Sequence, residues 1–426
     1  MKYKFLLLSI TFFLFLFGFS QNSSSLFAIT GQSVKNFNWM DIRSLNMKTG
    51  NVEQVLFENG KTEYSYTNSE NKSQINEIVL NGNPAKLSLG DTHFSSQQII
   101  LKNPTPTSLM TAATAFDQRH NRLFFSTMHD GRLIWLDLAK KNKASFFTIQ
   151  KPLIVQNDYN DEALNITRMT IGSDGYGYAL TNDANHLIRF STGKKIVVSD
   201  LGALLDDENN KGISIHNKCT SWGGDIVADA SGKLYLFSAG RQVFEIDIDT
   251  KIATLKGAVL NLPATYTLNG AAVNEIDEVI VSSANTYDGF YAVNMKDYTA
   301  TKLPTTSQVF NASDLASSNL LFQNKKTGSA VLRKEEVMGN KFISLFPNPV
   351  RNGEVKIVFE NHLPGQYKIA LTDIQGRMIE NSTVNIQYPG EAVNFKMKAK
   401  PVKGVYMIKI TNQENFNIYS DKLVVE

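Results

Sequence analysis

The chain has 426 residues, enough for two or three domains with sizeable cores. Its formal net charge is +3, so neither a nucleic acid nor an acidic membrane face is favoured as a partner. The single cysteine, Cys219, cannot form an internal disulfide, and we expect it to be a small buried apolar residue. Exported proteins often rely on disulfides for stability. Because this chain cannot form one internally, its stability must come from packing of the fold.

Residues 1–20 have the features of a secretory signal peptide. Lys2 and Lys4 precede an apolar run from Phe5 to Phe19, and Ser20 is a small residue at the exit. The alternative is a membrane anchor, but about 15 apolar residues are short for a span of about 20. We therefore predict inner-membrane export and no transmembrane span in the mature chain.

The middle of the chain, residues 21–333, contains a repeat. Each unit is predicted to be a strand, a polar turn, a strand, a loop and a third strand, followed by a short polar residue that opens a turn. The units recur at intervals of about 50 residues. The polar residues that close the four clearest units are Asp137, Ser191, Asp247 and Asn294.

Such units predict a β-propeller, because a small sheet cannot bury both faces alone and radial stacking covers them. Asn46 matches the same turn, and a degenerate unit near Leu87–Asp91 would complete six anchors. We predict about six blades, with five or seven left open. Leu320–Phe322 and the strand near Leu26–Thr30 are expected to close the ring by sharing a blade. A parallel β-helix is the rival, but its coils are shorter.

Residues 342–426 alternate apolar and polar positions in several runs separated by turn residues, as in Val355, Ile357 and Phe359. About seven short strands at this spacing predict a small immunoglobulin-like β-sandwich. Residues 334–341 are charged, break the strand pattern and are predicted to be a linker. The expected fold class is therefore all-β, a β-propeller followed by a β-sandwich.

The last segment also carries several motifs in order. They are Phe346-Pro347-Asn348-Pro349, the turn from Leu371 to Arg377, Gly404-Val405-Tyr406 and the terminal Lys422–Glu426. Together they resemble the type A C-terminal sorting domain of the type IX secretion system of Bacteroidota, although Phe346 replaces the more usual tyrosine. The resemblance implies export across the outer membrane, the type IX machinery as a partner, and a secreted or cell-surface location. The sorting-signal residues that it implies are Pro347, Asn348, Pro349, Asp373, Gly376, Arg377, Gly404, Tyr406, Lys422, Val424 and Glu426.

The most unusual loop runs from His216 to Asp225. It combines Trp222, two glycines and several hydrogen-bonding groups directly before a predicted innermost strand. This composition suits stacking on a sugar or holding a peptide, whereas the alternative is a tryptophan packed between blades. His216, Trp222 and Asp225 are therefore candidate ligand-binding residues, with Asn269 at the equivalent position of the next unit.

The acidic run Asp206-Asp207-Glu208 has enough oxygen atoms to bind Ca²⁺. It lacks the glycine and distal glutamate of an EF-hand loop, and a solvated loop tip is the alternative. No other cofactor is predicted. His129-Asp130-Gly131 and His186 occupy equivalent loops, where a turn is favoured over acid–base chemistry. No catalytic motif is recognised, so no catalytic residue is predicted.

We therefore predict an exported binding protein whose propeller binds a protein or a glycan. The alternative is a calcium-dependent, lactonase-like hydrolase with six blades, whose metal needs acidic and amide groups at the starts of several innermost strands. Here those positions hold Thr111–Thr114, Thr167-Arg168, Gly224-Asp225 and Asn269-Gly270, of which two carry a suitable side chain. A scaffold without a small ligand is a third possibility that the sequence does not separate from the first.

Overall fold

The computed structural model describes residues 25–33, 36–81, 98–140, 142–156, 158–323, 343–360, 364–373, 377–388, 390–397, 402–413 and 417–426. The predicted signal peptide, the degenerate unit near Leu87–Asp91, the predicted linker at 334–341 and Gly376 lie outside the described residues.

The described residues before position 324 form strands, one 3-10 turn at Glu162–Leu164 and one short helix, α1, at Lys218–Ser221. In chain order the strands are β1 (Leu26–Gly31), β2 (Trp39–Leu45), β3 (Val52–Phe57), β4 (Tyr64–Asn68), β5 (Glu77–Asn81), β6 (Gln98–Lys102), β7 (Thr111–Asp117), β8 (Arg122–Thr127), β9 (Leu133–Asp137), β10 (Ala144–Thr148), β11 (Ile166–Ile171), β12 (Gly177–Thr181), β13 (Leu187–Phe190), β14 (Val198–Asp200), β15 (Leu205–Asp206), β16 (Asp225–Ala228), β17 (Leu234–Phe237), β18 (Gln242–Ile246), β19 (Ile252–Ala258), β20 (Gly270–Val273), β21 (Val279–Ser282), β22 (Tyr291–Val293), β23 (Ala300–Lys302) and β24 (Ala312–Ala316).

These strands form a β-propeller, as predicted. Its blades have the strand orders β24-β1-β2-β3, β4-β10-β9-β8-β7, β11-β12-β13-β14, β15-β19-β18-β17-β16 and β20-β21-β22-β23. We number them 1 to 5 in that order. The innermost strands β24, β7, β11, β16 and β20 contact one another in a closed ring.

The described ring has five blades, one of the numbers left open by the sequence and one fewer than the six anchors suggested. The chain between blades 1 and 2 does not start a blade of its own where it is described. Tyr64–Asn68 instead pairs in parallel with Ala144–Thr148 as an additional outer strand of blade 2. Strands β5 and β6 form a separate hairpin.

The repeated polar residue that marked each unit opens the turn that follows the third strand of a blade. The side-chain oxygen atoms of Asn46, Asp137, Asp247 and Asn294 each accept a hydrogen bond from a backbone amide two or three residues later. Such turns are typical of Asn and Asp. The period in the sequence therefore reflects the turn that every blade needs at the same place.

The ring closes by sharing a blade between the two ends of the propeller, as expected, but with a different strand. Strand β24 pairs antiparallel with β1, with Phe27 opposite Ala316. The prediction that Leu320–Phe322 closes the ring was wrong. Leu321 instead makes a parallel bridge to Asp229 of blade 4. The closing strand was missed because its small residues do not give a strongly apolar pattern.

A hydrophobic core fills each interface between neighbouring blades. For example, the rings of Phe124 in blade 2 and Phe190 in blade 3 have their centroids 5.5 Å apart. Each core combines side chains from two blades, so no blade buries its faces alone. Buried residues that represent the five interfaces, starting between blades 1 and 2, are Phe116, Phe124, Tyr178, Val273 and Leu315.

The two faces of the ring differ in their connections. We call the face at which the innermost strands begin the mouth face and the opposite one the turn face. The mouth face carries long connections such as 149–165, 207–224, 259–269 and 303–311, whereas short turns such as 274–278 form the turn face. Because long irregular loops are where binding groups are usually found, we expect binding groups on the mouth face.

The C-terminal residues form a two-sheet sandwich around one core, as predicted. The sheets have the orders β25-β26-β29 and β28-β27-β30-β31. The strands are β25 (Ile343–Phe346), β26 (Glu354–Phe359), β27 (Gly365–Asp373), β28 (Met378–Ile386), β29 (Glu391–Lys396), β30 (Gly404–Thr411) and β31 (Asn417–Val425).

Candidate functional site

Asp225 lies on the axis of the ring and ties three innermost strands together. It is the first residue of β16 and its exposed fraction is 0%. Its Oδ1 accepts hydrogen bonds from the amides of Ile226 at 2.7 Å and Met169 at 3.4 Å. Its Oδ2 accepts from the amide of Ala271 at 2.7 Å. The carboxylate therefore bridges β11, β16 and β20.

Asp314 brings a second carboxyl group to the same place. It lies in the middle of β24, also has an exposed fraction of 0%, and lies within hydrogen-bonding reach of Asp225. Burial raises the pKa of Asp225 to about 8, and hydrogen bonds to its carboxylate oppose that shift. Burial and the neighbouring Asp225 raise the pKa of Asp314 well above its usual range. The two groups therefore titrate as a pair.

Arg168 is the basic group of this axial site. It is fully buried in β11 and donates from Nε to the carbonyl of Gly223 at 3.1 Å. Its Nη1 and Nη2 donate to the carbonyls of Thr181 at 3.0 Å and Ser221 at 2.6 Å. Burial lowers the pKa of Arg168 to about 9, while Asp225 opposes that shift. Sequence reasoning placed Arg168 at the start of an innermost strand but gave it no role.

The axial cavity next to the carboxyl pair is small. It offers about 10 Å³ to the centre of a water-sized sphere, close to the minimum for one water molecule. Ser317 and Asn319 line its turn-face side, and both donate to the carbonyl of Val273. The described channel is thus filled by its own side chains and crossed by the segment that follows β24.

The predicted ligand loop folds as a unit on the mouth face. Trp222 is half-buried, and its Nε1 donates to the carbonyl of His216 at 2.9 Å. The ring nitrogens of His216 lie 2.6 Å from the carbonyl oxygen of Asp183 and 3.2 Å from that of Leu204. Lys218 holds its Nζ 5.1 Å from the centre of the Trp222 ring. His216 and Trp222 are therefore brought together, whereas Asp225 faces the axis.

Asn269 stands at the mouth of blade 5 and binds its own loops. Its Oδ1 accepts hydrogen bonds from Thr267 Oγ1 at 2.7 Å and from the amide of Ala284 at 3.0 Å. Asn285 also donates to Thr267 Oγ1. The residue thus fixes a polar patch of small side chains rather than joining Asp225.

The acidic run extends from the end of β15 into the connection that leads to β16, and two of its carboxylates bind the protein itself. Asp206 Oδ1 accepts from the amide of Ile215 at 2.8 Å, and Asp207 Oδ2 accepts from Thr254 Oγ1 at 2.8 Å. Hydrogen bonds, the first of them from the amide of Asn209, lower the pKa of Asp207. Glu208 is exposed. Within the described ranges, no three His, Cys, Asp or Glu side chains are grouped so that they could hold a metal ion. Calcium binding by the acidic run stays a prediction.

The structure also bears on the expectations for Cys219 and for the loops that contain His129 and His186. Cys219 was expected to be buried and is exposed, because it lies in helix α1 with its side chain outside the blade cores. His129 and Asp130 form the turn that was favoured, and Asp130 accepts from Thr127 Oγ1 at 2.5 Å. The Nδ1 atom of His186 lies 2.7 Å from Oδ2 of Asp200 at the surface.

Sequence reasoning missed an aromatic pair on the mouth face. Phe37, in the loop between β1 and β2, is 45% exposed, and its ring lies 5.7 Å from that of Tyr287 in blade 5. Nearby, Asn311 Oδ1 accepts from the amide of Gly31, and its Nδ2 donates to the carbonyl of Asn36. The sequence contains an aromatic residue in each of two equivalent loops. These residues come close only because blades 1 and 5 are neighbours in the closed ring.

Residues of the predicted sorting signal join the start of the sandwich to its end. Asn348 Nδ2 donates to the carbonyl of Lys422 at 2.7 Å, and Asn348 Oδ1 accepts from the amide of Val424 at 2.9 Å. The amide of Glu426 donates to Val350. The peptide bonds before Pro347 and Pro349 are cis.

Two other parts of the predicted signal lie in turns and strand ends. Arg377 donates from its amide and Nε to Asp373 at 2.9 and 3.0 Å. Tyr406 donates to the carbonyl of Val402 at 2.7 Å, and Gly404 pairs with Val425 between β30 and β31.

Comparison with known families agrees with this region. Residues 344–426 match the family described as secretion system C-terminal sorting domain. The chain therefore carries a type IX sorting domain, which implies recognition by that machinery and a secreted or cell-surface protein. Among the described residues, no helix is long and apolar enough to cross a membrane. No curated protein matches the sequence.

Several solved structures are similar at low identity. PorZ, described as an essential bacterial surface component of the type-IX secretion system of Porphyromonas gingivalis, is 12% identical, with 94% of this chain and 51% of that chain covered and a TM-score of 0.30. A chain of a nidogen–laminin complex is 8% identical over 70% and 99%, with a TM-score of 0.35. Virginiamycin B lyase from Staphylococcus aureus is 9% identical over 82% and 89%, with a TM-score of 0.28. The chain spans about half the length of PorZ.

Proposed function

We propose that this protein is a type IX cargo whose propeller acts outside the cell as a binding module for a protein or glycan partner. The observation that carries the proposal is the contrast between the axis and the mouth face. On the axis, Asp225 and Arg168 direct their polar atoms to backbone groups. On the mouth face, Phe37 is exposed beside Tyr287, and Trp222 is half-buried.

The chemistry of the mouth face suits either partner class. Aromatic rings stack on sugars and fill pockets on proteins, and they dominate binding energies at interfaces. Amide side chains such as Asn285 add hydrogen bonds at the rim. The calcium-dependent hydrolase would need acidic and amide groups converging on the channel. Asp225 uses its oxygens on backbone amides, and Asn269 binds the loops of its own blade.

Binding can be tested with the mature protein on a glycan array and against extracellular proteins of its host. Trp222→Ala and Phe37→Ala are expected to weaken binding by about tenfold or more, since such anchors are each worth at least 1–2 kcal/mol. The control is Ile276→Ala, which removes an exposed apolar side chain (71%) from the turn face. Equal losses in Ile276→Ala, or binding unaffected by both mouth-face variants, would contradict the proposal.

Export is tested separately in the native host by deleting residues 342–426. The truncated chain should accumulate in the periplasm, as shown by cell fractionation and immunoblotting. Unchanged appearance at the surface or in the medium would show that these residues do not direct export.

A further inference from the structure

The axial carboxyl pair joins blades that are not neighbours. Asp225 belongs to blade 4 and Asp314 to blade 1, and strand β20 of blade 5 lies between them. Gly270 makes this possible, because a Cβ there would lie 2.6 Å from the amide nitrogen of Leu315 and 2.7 Å from the carbonyl carbon of Asp314. The backbones of β20 and β24 thus approach closely at Gly270, beside the Ser282 side chain, whose Oγ donates to the carbonyl of Ala312 in β24. Asp225 reaches Asp314 across that contact.

The two carboxyl groups differ in their hydrogen bonds. Asp225 accepts from three backbone amides. Both side-chain oxygens of Asp314 are buried without a hydrogen-bond partner. The amides of Leu315 and Thr114 approach Asp314 but do not satisfy its oxygens. Buried polar atoms are nearly always paired, so Asp314 requires an explanation.

A proton on Asp314 would account for its unpaired buried oxygens. A carboxylic acid donates one hydrogen bond, and the neighbouring carboxylate of Asp225 can accept it. Two adjacent carboxylates that are both buried and charged would repel each other, which is why such pairs commonly hold one proton between them.

The surrounding charges agree with one proton. From β11, Arg168 faces Asp225, and Asp183 in the loop after β12 faces Arg168. Strand β20 contains no titratable residue, and the carboxylate of β7, Asp117, is bonded to His120 at the turn-face end. With Asp314 neutral, the charges of Asp225 and Arg168 balance among the fully buried groups, while Asp183 acts on Arg168 from a half-buried position. With both carboxylates charged, this buried group would carry a net negative charge.

We propose that Asp225 and Asp314 share a single proton, carried by Asp314, and that this proton is a pH-sensitive clasp that holds the closing strand β24 in the ring. The Oδ–H of Asp314 donates to the carboxylate of Asp225. In alkaline solution hydroxide removes the proton, two negative charges face each other, and β24 is loosened from blades 4 and 5.

The direction of the pH dependence follows from the pKa shifts. Asp314 carries the proton because hydrogen bonds to Asp225 favour the ionised form of Asp225. Unfolded aspartate has a pKa of about 3.9, whereas burial raises the pKa of the folded pair well above that value. The folded protein therefore binds more protons than the unfolded chain between these values. The stabilisation is complete below about pH 4, decreases as the pH rises, and is lost once the pH passes the pKa of the folded pair.

The first test follows the melting temperature of the mature protein from about pH 5 to about pH 10. Asp314→Asn replaces the acid by an amide that donates to Asp225 at every pH. We expect the melting temperature of the wild type to fall with pH and that of Asp314→Asn to fall much less. Asp297→Asn, which changes an exposed turn carboxylate, should follow the wild type. If Asp314→Asn has the same slope as the wild type, there is no such clasp.

A second readout does not depend on unfolding. The infrared spectrum of the wild type near neutral pH should contain the carbonyl band of a buried, protonated carboxylic acid, and Asp314→Asn should lack it. Absence of the band from the wild type overturns the proposal. So does a melting temperature that rises with added Na⁺, K⁺ or Ca²⁺ in the wild type but not in Asp314→Asn, since a cation would then occupy the place of the proton.

Discussion

The propeller and the sandwich both tie their first segment to their last, but they do so in opposite environments. In the propeller, β24 pairs with β1, and the buried residues Asp225 and Asp314 lie beside the joint. In the sandwich, the exposed side chain of Asn348 binds the backbone of the last strand. A joint made by buried polar groups depends on every partner, whereas a solvated joint can exchange its hydrogen bonds for water. The propeller should therefore be the more sensitive of the two regions to single substitutions.

Asp225→Ala should have the largest effect. It removes the acceptor for three buried amides and the nearer of the two carboxylates that face Arg168, which we expect to cost about 4 kcal/mol of the free energy of unfolding. Urea denaturation of the mature protein measures this, with Asp297→Ala as the exposed control. A loss no larger than that of the control would mean that the axial joint contributes little.

Gly270→Ala should have the second-largest effect on the free energy of unfolding. The new Cβ would lie 2.6 Å from a backbone nitrogen of β24, so strands must move apart at a cost of about 3 kcal/mol. Gly365→Ala in the sandwich is the matched control, because its Cβ meets only the end of the flexible Gln413 side chain at 3.2 Å. Similar losses of unfolding free energy in both variants would remove the distinction between the two regions.

Asn348→Ala should cost only about 1 kcal/mol, because water can replace both hydrogen bonds at this exposed site. Urea denaturation of the isolated residues 342–426, alongside the whole mature chain, would measure it. A loss as large as that of Asp225→Ala would show that the sandwich joint is as critical as the axial one.

Arg377→Ala should have the smallest effect on folding, within about 0.5 kcal/mol, because the Arg377 side chain is 77% exposed in its pair with Asp373. The same variant can be followed for export in the native host. Loss of export with unchanged unfolding would assign Arg377 to recognition by the secretion machinery, as the family resemblance implies. Loss of both would assign it to the fold.

The propeller was predictable because each blade repeats a turn that needs a short polar residue. Asn46, Asp137, Asp247 and Asn294 mark this turn. The sandwich was predictable from the alternation of apolar and polar residues along its strands. The number of blades was harder. Residues 64–68 have a strand-like pattern but pair with a blade that is distant in the chain, and a local pattern does not reveal such pairing.

The candidate site was predicted only in part, for a similar reason. Asp225 was placed at the start of an innermost strand, and His216 and Trp222 in one loop. Asp314 was missed because its role arises from a contact across two blades, which depends on the close approach at Gly270. Phe37 and Tyr287 likewise meet only after the ring is closed.

The segment after β24 gives the propeller a direction. Leu321 bridges Asp229 in a turn-face turn, and the ring of Phe322 packs 5.9 Å from that of Tyr235. The first strand, β1, also begins at the turn face, because Leu26 pairs with Leu45 next to the turn at 46–51. Both ends of the propeller thus leave from one side. A force applied through either described end would therefore pull on the turn face, the side opposite the long loops of the mouth face.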